Sequence, residues 1–337
     1  EIFQAFLQAG GRRQLFNFSF IEPYLFGTAY TMGFNVFERE TDFLDFVQAG
    51  TGASVQVGRR VGDFSRVDFT YLFENVTVRQ TGSPDLESNT SSVTPVFTFN
   101  TLNNFFRPTR GYRMRFLTEV AGGALGGDNY FFKPILENTL YLPAIHATYF
   151  GLNAEIGWVE PFGTLNGLDR EVPGFERFYL GGDRSLRAFP SRSVSPTRVE
   201  TFPPTDLDGD GDLSDEDLNG NGVLDTEDSD GDGTLDQFLP GGQITSFPGG
   251  NKFLLLNGEF VIPVGESVEV GFFVDAGNAF DDDESLDLQD LRLDYGLETR
   301  FYLPVFQAPL RLIYGIIYDP RPGEDSSNFQ FSIGRTF

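Results

Sequence analysis

The sequence predicts an all-β fold, an antiparallel β-barrel that spans a membrane with strands. Three observations lead there. The chain carries 38 Phe and 12 Tyr against 2 Met, with 39 Gly, a composition that favours strands over helices. Its last segment alternates with period two: Phe329, Phe331, Ile333 and Phe337 share one face, while Asn328, Gln330, Ser332, Gly334 and Thr336 share the other. Many alternating segments reach the length of about 9–11 residues that a tilted transmembrane strand needs.

Each strand follows from the same pattern. Residues 291–303 repeat it, with Leu291, Leu293, Tyr295, Leu297, Phe301 and Leu303 on one face and Arg292, Asp294, Gly296, Glu298 and Arg300 on the other. A soluble sandwich also alternates, so strand length and number decide between the two folds. Strands are expected at 2–10, 12–23, 28–39, 44–60, 65–80, 91–104, 111–121, 129–142, 146–160, 252–263, 267–277, 290–303, 309–318 and 327–337, fourteen in all. Tight turns (Pro23–Gly27, Pro263–Ser267) alternate with longer loops (Thr81–Ser92, Asp281–Gln289), the asymmetry of an outer-membrane barrel. Arg335 interrupts the last apolar face, where a long side chain is expected to snorkel to the headgroups. Trp158 and the Tyr and Phe near strand ends are expected in the interfacial girdle. Arg113 and Arg115 fall on the lumen face and are expected to meet lumen carboxylates. No apolar run of about 18 residues marks a transmembrane helix.

The composition also excludes functions. A net charge of −25 leaves no basic stripe, so nucleic acid is not an expected partner. The absence of cysteine rules out disulfides and thiol chemistry. His146, the only histidine, sits at a predicted turn. There is no Ser-His-Asp set and no Gly-rich phosphate loop, so no enzyme activity is expected.

The chain divides into three stretches. Residues 1–198 are the first part of the barrel and the start of a long loop; 199–251 are an acidic insert; 252–337 are the last five strands. The insert has no Lys or Arg, and thirteen Asp or Glu lie between Asp206 and Asp236. Asp206, Asp208, Asp210 and Asp212, with Gly211 and Leu213, lead to Asp217 at the twelfth position, the calcium-loop spacing. Alternate carboxylates converge on one hard cation while the glycine permits a sharp turn. The pattern recurs through Asp217, Asn219, Asn221, Asp225 and Asp228, and again through Asp228, Asp230, Asp232 and Asp236. The third copy has Leu239 at its twelfth position and is incomplete. The copies resemble the tandem calcium repeats of thrombospondin type 3 modules. The alternative is a solvated acidic tract.

The stretch before the insert runs Phe178-Tyr179-Leu180-Gly181-Gly182-Asp183-Arg184-Ser185-Leu186-Arg187-Ala188-Phe189. It resembles the sixth extracellular loop of the BamA family of outer-membrane protein assembly barrels, fed by periplasmic POTRA domains, whose loop tip reads V-R-G-F/Y. Other segments are similar to that family too: Glu22–Gly27 to the turn after the fourth strand, Phe106–Gly111 to the start of the ninth, Phe272–Asn278 to the thirteenth, and Gln330–Phe337 to the last. The resemblance implies that the fourteen strands are the third to sixteenth of a sixteen-stranded barrel. An incomplete barrel would leave an edge unpaired in lipid, so the chain is expected to be part of a longer protein.

In that family the loop arginine contacts acidic residues of strands twelve and thirteen, which places Arg187 against Glu259 and Asp275. Alternation puts both carboxylates inside: Leu254, Leu256, Phe260 and Ile262 face lipid opposite Glu259, and Val268, Val270, Phe272, Val274 and Ala276 do so opposite Asp275. The bland alternative is ordinary lumen polarity. Ala188 departs from the family's glycine and would be strained if the position needs positive φ.

The resemblance further implies insertion of unfolded barrel proteins into the outer membrane of a double-membraned bacterium, aided by accessory assembly lipoproteins. The insert would lie outside the cell. Phe329, Phe331, Ile333, Gly334 and Phe337 would form one side of a lateral seam. A related translocation pore of the two-partner-secretion kind is the alternative, since it shares the loop arginine. The calcium expectation is directly testable. A 200–240 peptide should bind calcium with a dissociation constant of about 10⁻⁴–10⁻³ M and become more ordered; calorimetry without calcium-dependent heat would remove it.

Overall fold

The computed structural model describes residues 1–10, 13–42, 47–79, 85–165, 168–201, 243–303 and 308–337. The first strands are β1 (Ile2–Ala9), β2 (Arg13–Glu22), β3 (Tyr30–Asp42), β4 (Val47–Val61), β5 (Ser65–Arg79), β6 (Leu86–Asn100), β7 (Gly111–Ala121), β8 (Phe131–Pro143) and β9 (Tyr149–Trp158). Five short pieces follow within the long loop: β10 (Glu160–Pro161), β11 (Thr164–Leu165), β12 (Leu168–Asp169), β13 (Arg198–Thr201) and β14 (Gln243–Ser246). The sheet resumes with β15 (Lys252–Val264), β16 (Val268–Phe280), β17 (Arg292–Phe301), β18 (Leu310–Tyr318) and β19 (Ser327–Ile333).

β1 to β9 and β15 to β19 follow one another as antiparallel neighbours in chain order, with β9 paired directly to β15 and β10 adding to β8. These fourteen strands match the predicted set. β1 and β19 are the two ends of the order. The sheet curls, so that turns far apart along it meet: Arg107, between β6 and β7, bonds to Glu269 of β16.

Period-two alternation sorts the side chains as the sequence predicts. On β16, Phe272 and Val274 are 51% and 52% exposed on the outer face, while Glu269 and Asp275 on the inner face are fully buried. An outer face of this kind suits lipid. Glycines on the inner face make room for what fills the interior. A Cβ at Gly315 would lie 2.6 Å from that of Ala188, so the loop tip packs directly on β18.

The structure corrects several expectations. The sixth strand starts at Leu86, because its Ser, Thr and Asn residues pair in register with β5 from Val78 onward. The last strand ends at Ile333: Gly334 has φ +135° and donates its N–H to the Pro309 carbonyl at 3.0 Å. The chain then turns inward, so Phe337 leaves the outer face and packs on Tyr141 with ring centroids 6.1 Å apart. Arg335 follows it, donating to the Phe105 carbonyl at 2.8 Å and lying 4.6 Å over the Phe105 ring rather than reaching the headgroups. Arg115 meets Glu137 at 2.6 Å as expected, but Arg113 donates to the Thr139 hydroxyl instead of a carboxylate.

The loop between β18 and β19 is anchored by Arg292, which forks onto Glu324 with contacts of 2.9 and 2.6 Å. These hydrogen bonds hold the Glu324 carboxyl below its ordinary value despite some burial, and the Arg321 backbone N–H assists. A carboxylate whose folded pKa is depressed contributes stability above its unfolded pKa and loses it as pH falls through the folded value. Amide protection over 319–326, corrected for the intrinsic exchange rate, should therefore fall on acidification below about pH 4. In Glu324→Gln the loop should exchange fast at neutral pH as well; unchanged protection there would refute the anchor.

Candidate functional site

The long loop folds back into the barrel because its own residues are apolar where they meet the wall. Val172, Phe178, Leu180, Leu186, Ala188, Phe189 and Val194 are buried in one cluster with Phe253, Leu255, Ala279 and Ile317 of the strands. Gly181 and Gly182 both have positive φ, at 101° and 103°. A Cβ on Gly181 would sit 2.2 Å from the Pro190 carbonyl oxygen, so the turn needs glycine there. Leu180 and Val194 then bridge the neck of the tip, and Gly182 donates to the Phe189 carbonyl at 3.0 Å.

The tip presents Arg187, which is 1% exposed. Its Nε and Nη2 donate to Asp275 at 2.8 and 2.7 Å, a bidentate fork. Its Nη1 donates to Glu259 at 3.2 Å and to Glu298 at 3.1 Å. The guanidinium lies 4.0 Å over the Phe273 ring. Burial alone would lower the Arg187 pKa; the charge and hydrogen bonds of Asp275, with Glu298 and Glu259, more than reverse this and keep it cationic. Both carboxylates named from the sequence, Glu259 and Asp275, thus touch the arginine. Ala188 carries no positive φ; its N–H donates to Asp294 at 3.1 Å, so the alanine is unstrained.

Sequence reasoning missed most of the network around this arginine. Glu298 also accepts from Arg300 and Arg311, each at 2.7 Å. Arg300 pairs with Glu259 as well. Arg311 reaches back to the loop, to the Asp183 carboxylate at 3.2 Å and its carbonyl at 2.9 Å. Asn257 donates to the Ser185 carbonyl at 2.7 Å and to Asp275 at 2.9 Å. Gln330 of β19 donates to the carbonyls of Arg187 and Phe189, both at 3.1 Å. The alternation along 291–303 carried the signal for Asp294, Glu298 and Arg300 by putting them on the inner face, but spacing alone could not say which cation they meet.

Of the predicted seam residues, Phe329, Phe331 and Ile333 lie exposed on the outer face of β19, whereas Gly334 and Phe337 belong to the inward tail. Asp206, Asp208, Asp210, Asp212, Asp217, Asn219, Asn221, Asp225, Asp228, Asp230, Asp232 and Asp236 lie outside the described residues. Among the described residues no group of three or more His, Cys, Asp or Glu is arranged to hold a metal.

An antiparallel transmembrane barrel whose interior is filled by a loop carrying a buried, carboxylate-clamped arginine defines the class. The chain belongs to the Omp85 superfamily, whose domain model matches residues 1–337. It is 26% identical to the outer membrane protein assembly factor BamA of Nitratidesulfovibrio vulgaris, over 99% of this chain and 38% of that protein. It is 31% identical to the sorting and assembly machinery component 50 homolog of Bos taurus, over 42% of this chain and 27% of that protein. Its fold is similar to the crystal structure of BamA from Haemophilus ducreyi lacking POTRA domains 1–3, with TM-score 0.70 and 18% identity, covering 95% of this chain and 61% of that one. CdiB from Acinetobacter baumannii is less similar, with TM-score 0.54 and 12% identity over 95% of this chain and 50% of that one. The chain spans about two-fifths of the length of the assembly-factor BamA it matches.

Removing one partner from a buried ion cluster costs about 3–5 kcal/mol, because the remaining charges lose their counterion in a dry site. Arg187→Ala should destabilise the folded barrel by that order. Arg187→Lys should fall between, keeping the charge and losing the fork. Urea unfolding in detergent, followed by the mobility of unheated samples on gels, measures both; a wild-type midpoint for Arg187→Ala would refute the clamp.

Proposed function

We propose that the chain is the barrel of an outer-membrane protein assembly factor, which folds and inserts other β-barrel proteins without using a nucleotide. The observation that carries this reading is the similarity of nearly the whole chain to an assembly factor. β19, which presents Phe329 and Phe331 to lipid and is held from inside by Gln330 on the loop tip, would form one side of a lateral seam, and a seam strand that opens is a template for strand addition. An unfolded client that pairs with such an edge satisfies its backbone groups while entering lipid, where an unpaired group costs several kcal/mol.

On this reading Arg187, Glu259, Asp275 and Glu298 do no chemistry. They fix the loop tip against β15 to β17, and the tip positions β19. Near-complete coverage of the chain by its similarity to an assembly factor supports the reading. The partners are then unfolded barrel proteins, outer-membrane lipids and accessory assembly lipoproteins. The loop end of the barrel, with the acidic insert and the calcium it would bind, faces the cell exterior.

Depletion of the full-length protein tests the proposal. Many unrelated outer-membrane barrel proteins should lose their folded, heat-modifiable forms together, and the wild-type gene should restore them. Normal assembly of those proteins, with loss of only one secreted substrate, would favour a translocation pore and overturn it.

A further inference from the structure

The loop tip is not the only arginine-bearing segment that enters the interior. At the opposite, short-turn rim, the connection between β6 and β7 crosses the mouth. Asn103 and Asn104 give it a fixed shape: Asn104 Oδ1 accepts from the N–H groups of Phe106 and Arg107 at 2.8 and 2.9 Å. Asn103 Oδ1 accepts from those of Thr109 and Arg110 at 3.0 and 3.1 Å. Thus held, Arg107 reaches the other side of the mouth. Its Nε donates to Glu269 of β16 at 2.6 Å and its Nη1 to the Glu266 carbonyl at 2.9 Å. The guanidinium lies 4.8 Å over the Tyr302 ring.

Glu269 is fully buried and also accepts from the hydroxyls of Tyr149 and Tyr302, both at 2.9 Å. The tail after β19 meets the segment through Arg335 on the Phe105 carbonyl. The crevice beside the latch, among Phe106, Pro108, Tyr149, Tyr302, Arg335 and Thr336, is about 20 Å³, which holds about one water molecule.

We propose that the 103–110 segment is a second brace of the inner wall, latched by Arg107 on Glu269, and that Arg300 couples it to the Arg187 cluster. Arg300 stands between the two. Its Nη2 and Nε bind Glu259 and Glu298, which also hold Arg187, while its Nη1 lies 3.9 Å from Glu269, which holds Arg107. Displacing either inserted arginine changes the charge around Arg300 and so alters its hold on the other. The two ends then loosen together. Arg300 is a positioning residue in this scheme. The inference does not depend on what the edge inserts.

The absence of cysteine gives a clean test. Val261, fully buried beside Tyr141 and Tyr149 and packed near Phe337, lies next to the proposed brace. In the full-length protein in lipid nanodiscs, Val261→Cys should resist a water-soluble maleimide while Asp283→Cys in the exposed 281–291 loop labels fully. Adding Arg107→Ala should raise labelling of Val261→Cys at least tenfold. Adding Arg187→Lys, introduced from the opposite rim, should raise it several-fold. Rapid labelling without a second substitution, or continued protection with Arg107→Ala, would overturn the latch. Exposure with Arg107→Ala but unchanged protection with Arg187→Lys would overturn the coupling. Should Arg107→Ala fail to give a heat-modifiable barrel, Asn104→Ala removes the acceptor that shapes the segment, and the same outcomes decide.

Discussion

A guanidinium removed from water must find carboxylates, and much of the interior of this barrel is arranged by that requirement. Arg187 is carried inward by a loop whose apolar residues pack on the wall, so its charge arrives where water is absent. Asp275 meets it as a fork, and Glu259 and Glu298 take the remaining nitrogen. Those acids outnumber one arginine, so the wall supplies Arg300 and Arg311 in turn. Once the cluster is complete, each member is held by neighbours on different strands. A dry ionic network gains less net stability than an apolar core of the same volume. What it contributes is a unique position for the loop.

The position matters because the tip touches the end of the sheet. Asp183 receives Arg311 of β18, Ser332 of β19 donates to Asp183, and Gln330 donates to the tip carbonyls. β19 therefore has two supports of different kind, a ladder on one side and the loop beneath it. Its outward face remains a row of aromatic and aliphatic side chains suited to lipid. Order on the inside and the placement of the last strand come from the same residues.

Much of the fold was legible in the sequence because alternation is a strong signal when one side of a strand faces hydrocarbon. Phe272, Val274 and Asp275 could be assigned to their faces from spacing alone, and the strand count followed from the segment lengths. Glu259 and Asp275 were found because the family resemblance supplied the arginine and the alternation supplied the side of the wall. Glu298 and Arg311 were not, since nothing local distinguishes a lumen acid that meets a loop from one that meets a neighbouring strand. The inward tail was missed for a related reason. Phe337 continues the alternation in sequence, and only the positive φ of Gly334 breaks it in space. Arg107 likewise reads as one residue of a turn until the curl of the sheet brings Glu269 beside it, 162 positions away.

The small hairpin of β13 and β14 carries one more consequence. Thr201 and Gln243 are opposed across it, and opposed strand residues lie about 5 Å apart. The chain between Thr201 and Gln243 therefore begins and ends at one narrow gate. Its length and chemistry are thereby uncoupled from the wall, since any unit whose own ends meet can be mounted without stretching the stalk. The barrel offers a socket at this point, and the braced interior below does not depend on what is joined to it.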